Sequence, residues 1–245
     1  MWRAAGLDLD ESGCLISHTQ LTRNSNDNHS REDMVANSLI LLLSKLNNFI
    51  STGESLFPTP TGYNARTPEE NLQSVEHLGV SQQSLLEKWD KIRQEIDVWF
   101  SNLPGTFTPC ARIGHPVFSE IWFNIPMCAS AMQNYHMAKI ILLINKPHET
   151  TAGRSTVGNR LKSYQSIAAE IKHHAREICG IALSRPEGSV RIFSIQPLFV
   201  AGECLTETRE RKVVLELLQN IEQDLGWATQ YRIQQLLKEW NWNSV

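Results

Sequence analysis

The chain lacks most of what a functional reading usually starts from. Its 245 residues hold five cysteines, Cys14, Cys110, Cys128, Cys179 and Cys204, odd in number and widely spaced. No C-x-x-C pair occurs, which excludes a zinc knuckle and a thioredoxin-like motif. Three of the five lie in apolar helical runs, where a thiol packs as a small hydrophobe. This usage fits a reducing compartment, cytoplasm or nucleus. There is no G-x-S-x-G, no H-E-x-x-H, no Walker loop and no G-x-G-x-x-G. Uninterrupted apolar runs stop at five residues, as in Leu39–Leu43, against the ~20 a membrane span needs, so no membrane partner is expected. The start, MWRAAGLDLDESG, carries acids and no apolar core, unlike a secretory signal. Basic excess is missing as well: the formal net charge is −3, whereas a nucleic-acid-binding module carries a basic face. The local cluster Arg209, Arg211 and Lys212 alternates with Glu207 and Glu210, which reads as a solvated helix face.

What is present is helix. Hydrophobic residues make up 41% and charged residues 20%, enough for a proper core. Residues 1–30 are polar and irregular, with TRNSNDNHS at 22–30, and read as a disordered leader. Residues 31–80 read as a helix over 31–50, followed by a long Ser, Thr, Gly and Pro-rich loop. The region 81–245 reads as one helical domain. Ser81 is a plausible N-cap for a helix with Leu85, Leu86, Trp89, Ile92, Ile96, Trp99 and Phe100 on one stripe, stopped by Pro104-Gly105. An ordered loop over 104–118 leads to an apolar helix from Pro126 to Asn145. A polar linker at 149–160 precedes a long helix over Leu161–Leu183.

Val190–Leu205, with Pro197 starting or kinking it, Thr206–Leu225 and Ala228–Trp240 complete the set. Gly226 stands where a left-handed residue ends a helix, and Trp227 is expected to pack across the break. Thr229 is expected to cap the last helix. No useful period-two alternation occurs. The fold class is therefore all-α, an irregular array of antiparallel helix pairs with roughly seven to nine helices.

Few side chains invite a chemical reading. Glu170 and His173 form a Glu-x-x-His, the spacing of helical di-iron sites, but such sites need a second copy and further carboxylates. The pair reads as a solvated polar face. The strip KHHAR at 172–176 is placed to meet a carboxylate on another helix. Tyr135-His136 lies inside an apolar helix, either as a polar tip in a ligand cavity or as a core position bonded to a neighbour. Trp89, Trp99, Trp227 and Trp240 fall on apolar faces, while Trp122-Phe123 in EIWFNIP either docks into the core or borders a pocket. Glu69-Glu70 reads as a loop pair. No catalytic set, cofactor site or metal site is assembled.

Several segments in order carry a resemblance. They are Leu86-x-x-Trp89 through Trp99-x-x-x-Leu103-Pro104 with Phe107-x-Pro109; Tyr135-His136-x-Ala138 with Ile141-Leu142-Leu143; and Arg176-x-Ile178-Cys179-Gly180-Ile181-Ala182. Gln196-Pro197-Leu198 with Ala201-Gly202 follows, then Arg211 to Trp240, including Leu225-Gly226-Trp227-Ala228-Thr229 and Glu239-Trp240. Together they resemble the C-terminal regulatory region of fungal zinc-cluster transcription factors over about the last two-thirds of the chain. The resemblance implies a nuclear helical module that controls RNA polymerase II transcription through a protein partner or a like chain, without catalysis and without a cofactor. A small-molecule effector held in the same fold is the alternative, and an orphan helical enzyme a further one. The family's DNA-reading element, six cysteines holding two zinc ions, has no counterpart here. No direct DNA binding by this chain and no structural zinc are therefore expected.

Overall fold

The computed structural model describes residues 28–56, 68–147, 157–186 and 188–242. Among them are eight α-helices: α1 (Asn28–Leu56), α2 (Pro68–Ser101), α3 (Pro126–Ile144), α4 (Val157–Leu183), α5 (Gly188–Phe193), α6 (Ile195–Cys204), α7 (Thr208–Leu225) and α8 (Gln230–Glu239). The all-α class and the helix count match the expectation. A small antiparallel hairpin, β1 (Ala111–Ile113) and β2 (Glu120–Trp122), interrupts them, with Arg112 opposite Ile121. Three-residue strands are too short to show alternation, which is why the sequence reads there as loop.

α3 organises the molecule because it is apolar on every side. From Cys128 to Ala138 all of its residues except Asn134 are buried. A helix without a polar face must be enclosed, and α3 contributes to two cores. In one, Met137 and Ile140 meet Ile178 of α4, Leu198 of α6, Leu218 of α7 and Leu236 and Trp240 at the C-terminal helix. In the other, Cys128, Met132, Tyr135 and Leu142 meet Leu39 and Leu46 of α1, Trp89, Ile96 and Trp99 of α2, and Ile121 of β2. A buried polar latch ties α3 to its neighbours: Gln133 Nε2 donates to the Ile178 carbonyl at 3.2 Å, and Ser194 Oγ donates to Gln133 Oε1 at 2.6 Å.

Two helices run longer than the sequence suggests. α1 extends to Leu56 and α2 begins at Pro68, so Ser81 lies inside a helix and is not its cap. Pro68 occupies a position that proline tolerates, the first turn, and Glu69-Glu70 follow it in helix, not in loop. The rest of the expected loop, 57–67, lies outside the described residues. So do residues 1–27 of the expected leader and 149–156 of the expected linker, whose last residues belong to α4.

Residues Arg31–Ser51 of α1 are also long and apolar enough to cross a membrane, with a mean hydropathy of 1.2, which run length alone missed. The helix is nonetheless tied into the bundle by polar bonds. Trp99 Nε1 of α2 donates to the Val35 carbonyl at 3.0 Å, and Lys45 pairs with Glu95 at 2.8 Å.

The C-terminal pair corrects two expectations. Gly226 does end α7 in the left-handed region, at φ 68°. Trp227 beside it, however, is 54% exposed. Thr229 joins the helices instead. Its hydroxyl does not cap α8; it donates back to the Leu218 carbonyl at 2.9 Å and lies 2.9 Å from Glu222 Oε2, which also accepts the Thr229 amide. Those bonds hold the Glu222 carboxyl below its ordinary pKa. Trp227→Ala is therefore expected to change unfolding free energy by less than about 1 kcal/mol, as surface substitutions do. Urea unfolding followed by circular dichroism checks this, and a loss near 3 kcal/mol would return Trp227 to the core.

Candidate functional site

Packing of α2, α3 and α4 leaves an open cleft of about 600 Å3. One wall is the Trp89 indole, held in place because its buried Nε1 donates to the Leu142 carbonyl at 2.8 Å. Leu86, Leu142, Leu143 and Ile167 continue the apolar lining. Charged groups complete it. The Arg93 guanidinium grips Asp90 Oδ1 at 3.0 and 2.8 Å and reaches Asp97 Oδ2 at 3.2 Å. The Lys139 ammonium lies 3.1 Å from Asp97 Oδ1 and 3.9 Å from Glu170 Oε1, with only 12% of its side chain exposed.

Behind the cleft a line of polar groups crosses the α3–α4 interface. Glu170 Oε1 is 3.8 Å from His174 Nε2. His174 Nδ1 is 2.8 Å from His136 Nδ1, both rings buried. His136 Nε2 is 4.0 Å from Glu177 Oε2. Glu177 then accepts two bonds from Arg112 of β1, at 2.9 and 2.7 Å. The imidazole bond requires one Nδ1 to carry a hydrogen and the other to be bare, so the accepting ring is neutral. Burial pushes the His174 pKa down to about 4, with His173 and Lys139 adding to the effect and Glu177 opposing it. Burial likewise holds His136 well below its ordinary value, reinforced by His174, His173 and Arg112. Above them Tyr135 stacks on Phe100 at 4.6 Å, its phenol pushed up to about 12 by burial and by the charges of Asp97 and Glu170.

Of the two readings of Tyr135-His136, the structure therefore carries the core one: His136 bonds a neighbour and does not line the cleft. Glu170 and His173 are both exposed, the solvated face that the sequence suggests, although Glu170 also borders the cleft. The KHHAR strip does meet carboxylates at the start of another helix, one just before α7 and one in its first turn. Lys172 bonds Glu207 at 2.6 Å, and Arg176 bonds the buried Glu210 at 2.6 Å. Trp122 is paired in the hairpin and 40% exposed, while Phe123 packs against the core.

Sequence reasoning missed Lys139, Asp97, Arg112 and Glu177. Lys139, a lone cation inside an apolar helix, was a visible signal. The Arg112–Glu177 link was not, since it depends on a hairpin folding back onto α4. Among the described residues no group of three or more His, Cys, Asp or Glu is arranged to hold a metal ion. Burial raises the Cys128 and Cys204 thiols to about 11 and Cys179 further still, the reverse of what an activated nucleophile needs.

Residues 22–241 match the model of the fungal specific transcription factor domain. The chain is also 38% identical over 259 aligned residues to the Transcription activator AMTR1 of Alternaria alternata. That alignment covers 99% of this chain but 32% of the relative, so the chain spans about a third of the relative's length. No solved structure matches. A match over nearly the whole chain, with the helices that the resembling segments require in place, makes this chain a member of the fungal specific transcription factor domain family.

Proposed function

We propose that this chain is the regulatory domain of a fungal transcription regulator that controls RNA polymerase II transcription from the nucleus. It acts by binding a protein partner or a second copy of itself, not by catalysis, and it does not read DNA on its own. The observation that carries the reading is the family match over residues 22–241, with a transcription activator as a relative over the same stretch. Side chains left on the outer surface fit a binding role: Met34 and Ile40 on α1, Val98 and Phe100 on α2, and Tyr231 on α8 are about half exposed. The net charge of −3 gives no basic footprint for a duplex.

The test fuses the chain to a heterologous DNA-binding domain and measures reporter output under several growth conditions, with the fusion's location imaged in the same cells. Nuclear enrichment and a change in output, up or down, are expected. Unchanged output in every condition, with a purified chain that is monomeric and brings down no partner, overturns the proposal.

A further inference from the structure

We propose that the uncovered first half of α4 docks an acidic amphipathic helix of a partner protein, on an apolar stripe of Leu161, Tyr164 and Ala168 beside Ile144 of α3. This rests on the partner-binding reading above and adds to it a surface and the chemistry of the partner.

The stripe begins in the sequence. Leu161, Tyr164, Ala168, Ala175, Ile178 and Ala182 share one face of α4 at helical spacing. The last three are buried in the core. The same face is bare nearer the start of the helix. Every residue from Gly158 to Ser166 is exposed, Leu161 at 56% and Tyr164 at 61%.

α3 is too short to cover it. Gln133 bonds the Ile178 carbonyl, His136 bonds His174, and Lys139 approaches Glu170. The two helices therefore run antiparallel, and a step along α3 matches about one step back along α4. α3 ends at Ile144, level with the turn of α4 around Gln165. About 12 Å of helix lies before that level. Ile144 is itself 59% exposed. Apolar side chains at i, i+3 and i+7 are what a second helix packs against.

Charge selects the partner. From Val157 to Ala169 the only charged side chains are Arg160 and Lys162. Among the described residues neither forms an ion pair. The next acid along the helix, Glu170, is turned to Lys139 and His174. A docking helix thus meets two uncommitted cations and no free carboxylate. Acids flanking its apolar face pair with those cations, and lysines in their place are repelled. An anionic membrane has the same sign, but helices that lie on lipid carry a long basic face, which two cations do not make.

The experiment measures fluorescence anisotropy of labelled synthetic helices of about five turns, titrated with the full chain. One peptide has Leu and Phe on one face and Glu on the other. A second carries Lys in place of Glu, and a third carries Ser in place of Leu and Phe. The first is expected to bind at least about tenfold more tightly than either of the others. Arg160→Glu/Lys162→Glu should weaken it about tenfold, and Leu161→Ser/Tyr164→Ser at least as much. All four positions are exposed, so circular dichroism should show unchanged helix content. The same charge change at Lys212→Glu/Lys238→Glu, exposed on α7 and α8, should leave binding as it is. Equal affinity for the three peptides, an equal effect of the two charge-reversed pairs, binding to phosphatidylserine vesicles but not to the Glu peptide, or no binding at millimolar concentration overturns the proposal. A chain that alters reporter output yet fails these tests keeps the partner-binding reading and loses this surface.

Discussion

Gly180→Val is expected to cost about 3 kcal/mol or more of stability, and Gly180→Ala about 2 kcal/mol, as overpacked interiors do. The direction is unusual for a helix. Glycine inside a helix is worse than alanine by about 1 kcal/mol, so Gly180, in the last turns of α4, ought to be improved by a methyl group. The neighbours forbid it. A Cβ there would stand 2.4 Å from the Ser119 carbonyl oxygen and 2.9 Å from Ile121 Cδ1. The oxygen belongs to backbone and cannot rotate away. It leads into β2, whose Glu120 is registered against Ile113 of β1, and β1 is anchored to α4 by the Arg112–Glu177 pair. Moving Ser119 therefore moves the whole hairpin and pulls the buried Ile121 out of its core. Gly158, near the start of the same helix, has nothing within 4 Å of its would-be Cβ, so Gly158→Ala should be neutral or gain up to about 1 kcal/mol. Urea midpoints at unchanged m-value report both. A Gly180→Ala protein as stable as the parent would mean that the hairpin does not lie against α4.

This glycine also marks where the sequence stopped being informative. Elements fixed by local chemistry were legible: Pro126 opening α3, Gly226 ending α7 at positive φ, and the apolar spacing of Val214, Leu217, Leu218 and Ile221. The segments that carry the family resemblance were recognisable without their reasons. Gly180 and Gly202 are glycines because another chain segment lies against them, β2 in one case, Leu236 and Val214 in the other. No local rule supplies that.

Trp227 was misread for the complementary reason. An aromatic beside a helix break is a fair core candidate, but the residue buried there is Thr229, which bonds Leu218 and Glu222. The cleft was illegible because it is made by three helices with their polar side chains left over. The histidine pair lay in between. His174 stands three residues after Ile171 and four before Ile178, which puts it on the inward side of α4, yet nothing in the sequence joins it to His136 on α3.

That pair sets the second large effect, a loss of stability in acid. Both imidazoles are neutral in the folded chain, and the 2.8 Å Nδ1–Nδ1 bond uses one hydrogen. A further proton at the bond would set N–H against N–H. It would also charge rings that already face His173, Lys139 and Arg112, with Glu170 and Glu177 no nearer than 3.8 and 4.0 Å. The folded pKa is therefore depressed, for His174 from 6.5 to about 4 by burial above all, while the unfolded chain keeps the ordinary value. Linkage fixes the sign: the contribution is complete above pH 6.5 and is lost as pH falls from there through about 4, where the unfolded state binds protons that the folded state refuses.

At 1.36 kcal/mol per pH unit, His174 alone accounts for about 3 kcal/mol over that window, and His136 adds to it. The comparison that isolates the effect is the double variant His136→Leu/His174→Leu, since replacing both partners of a buried bond by apolar groups is nearly neutral. Its unfolding free energy should fall between about pH 7 and pH 4 by at least about 3 kcal/mol less than that of the parent. The single variant His136→Leu, which strands His174 Nδ1, should be destabilised at neutral pH as well, by about 1–3 kcal/mol. Parallel pH profiles for the parent and the double variant would show that the pair is protonated in the folded chain and that the α3–α4 interface tolerates the charge.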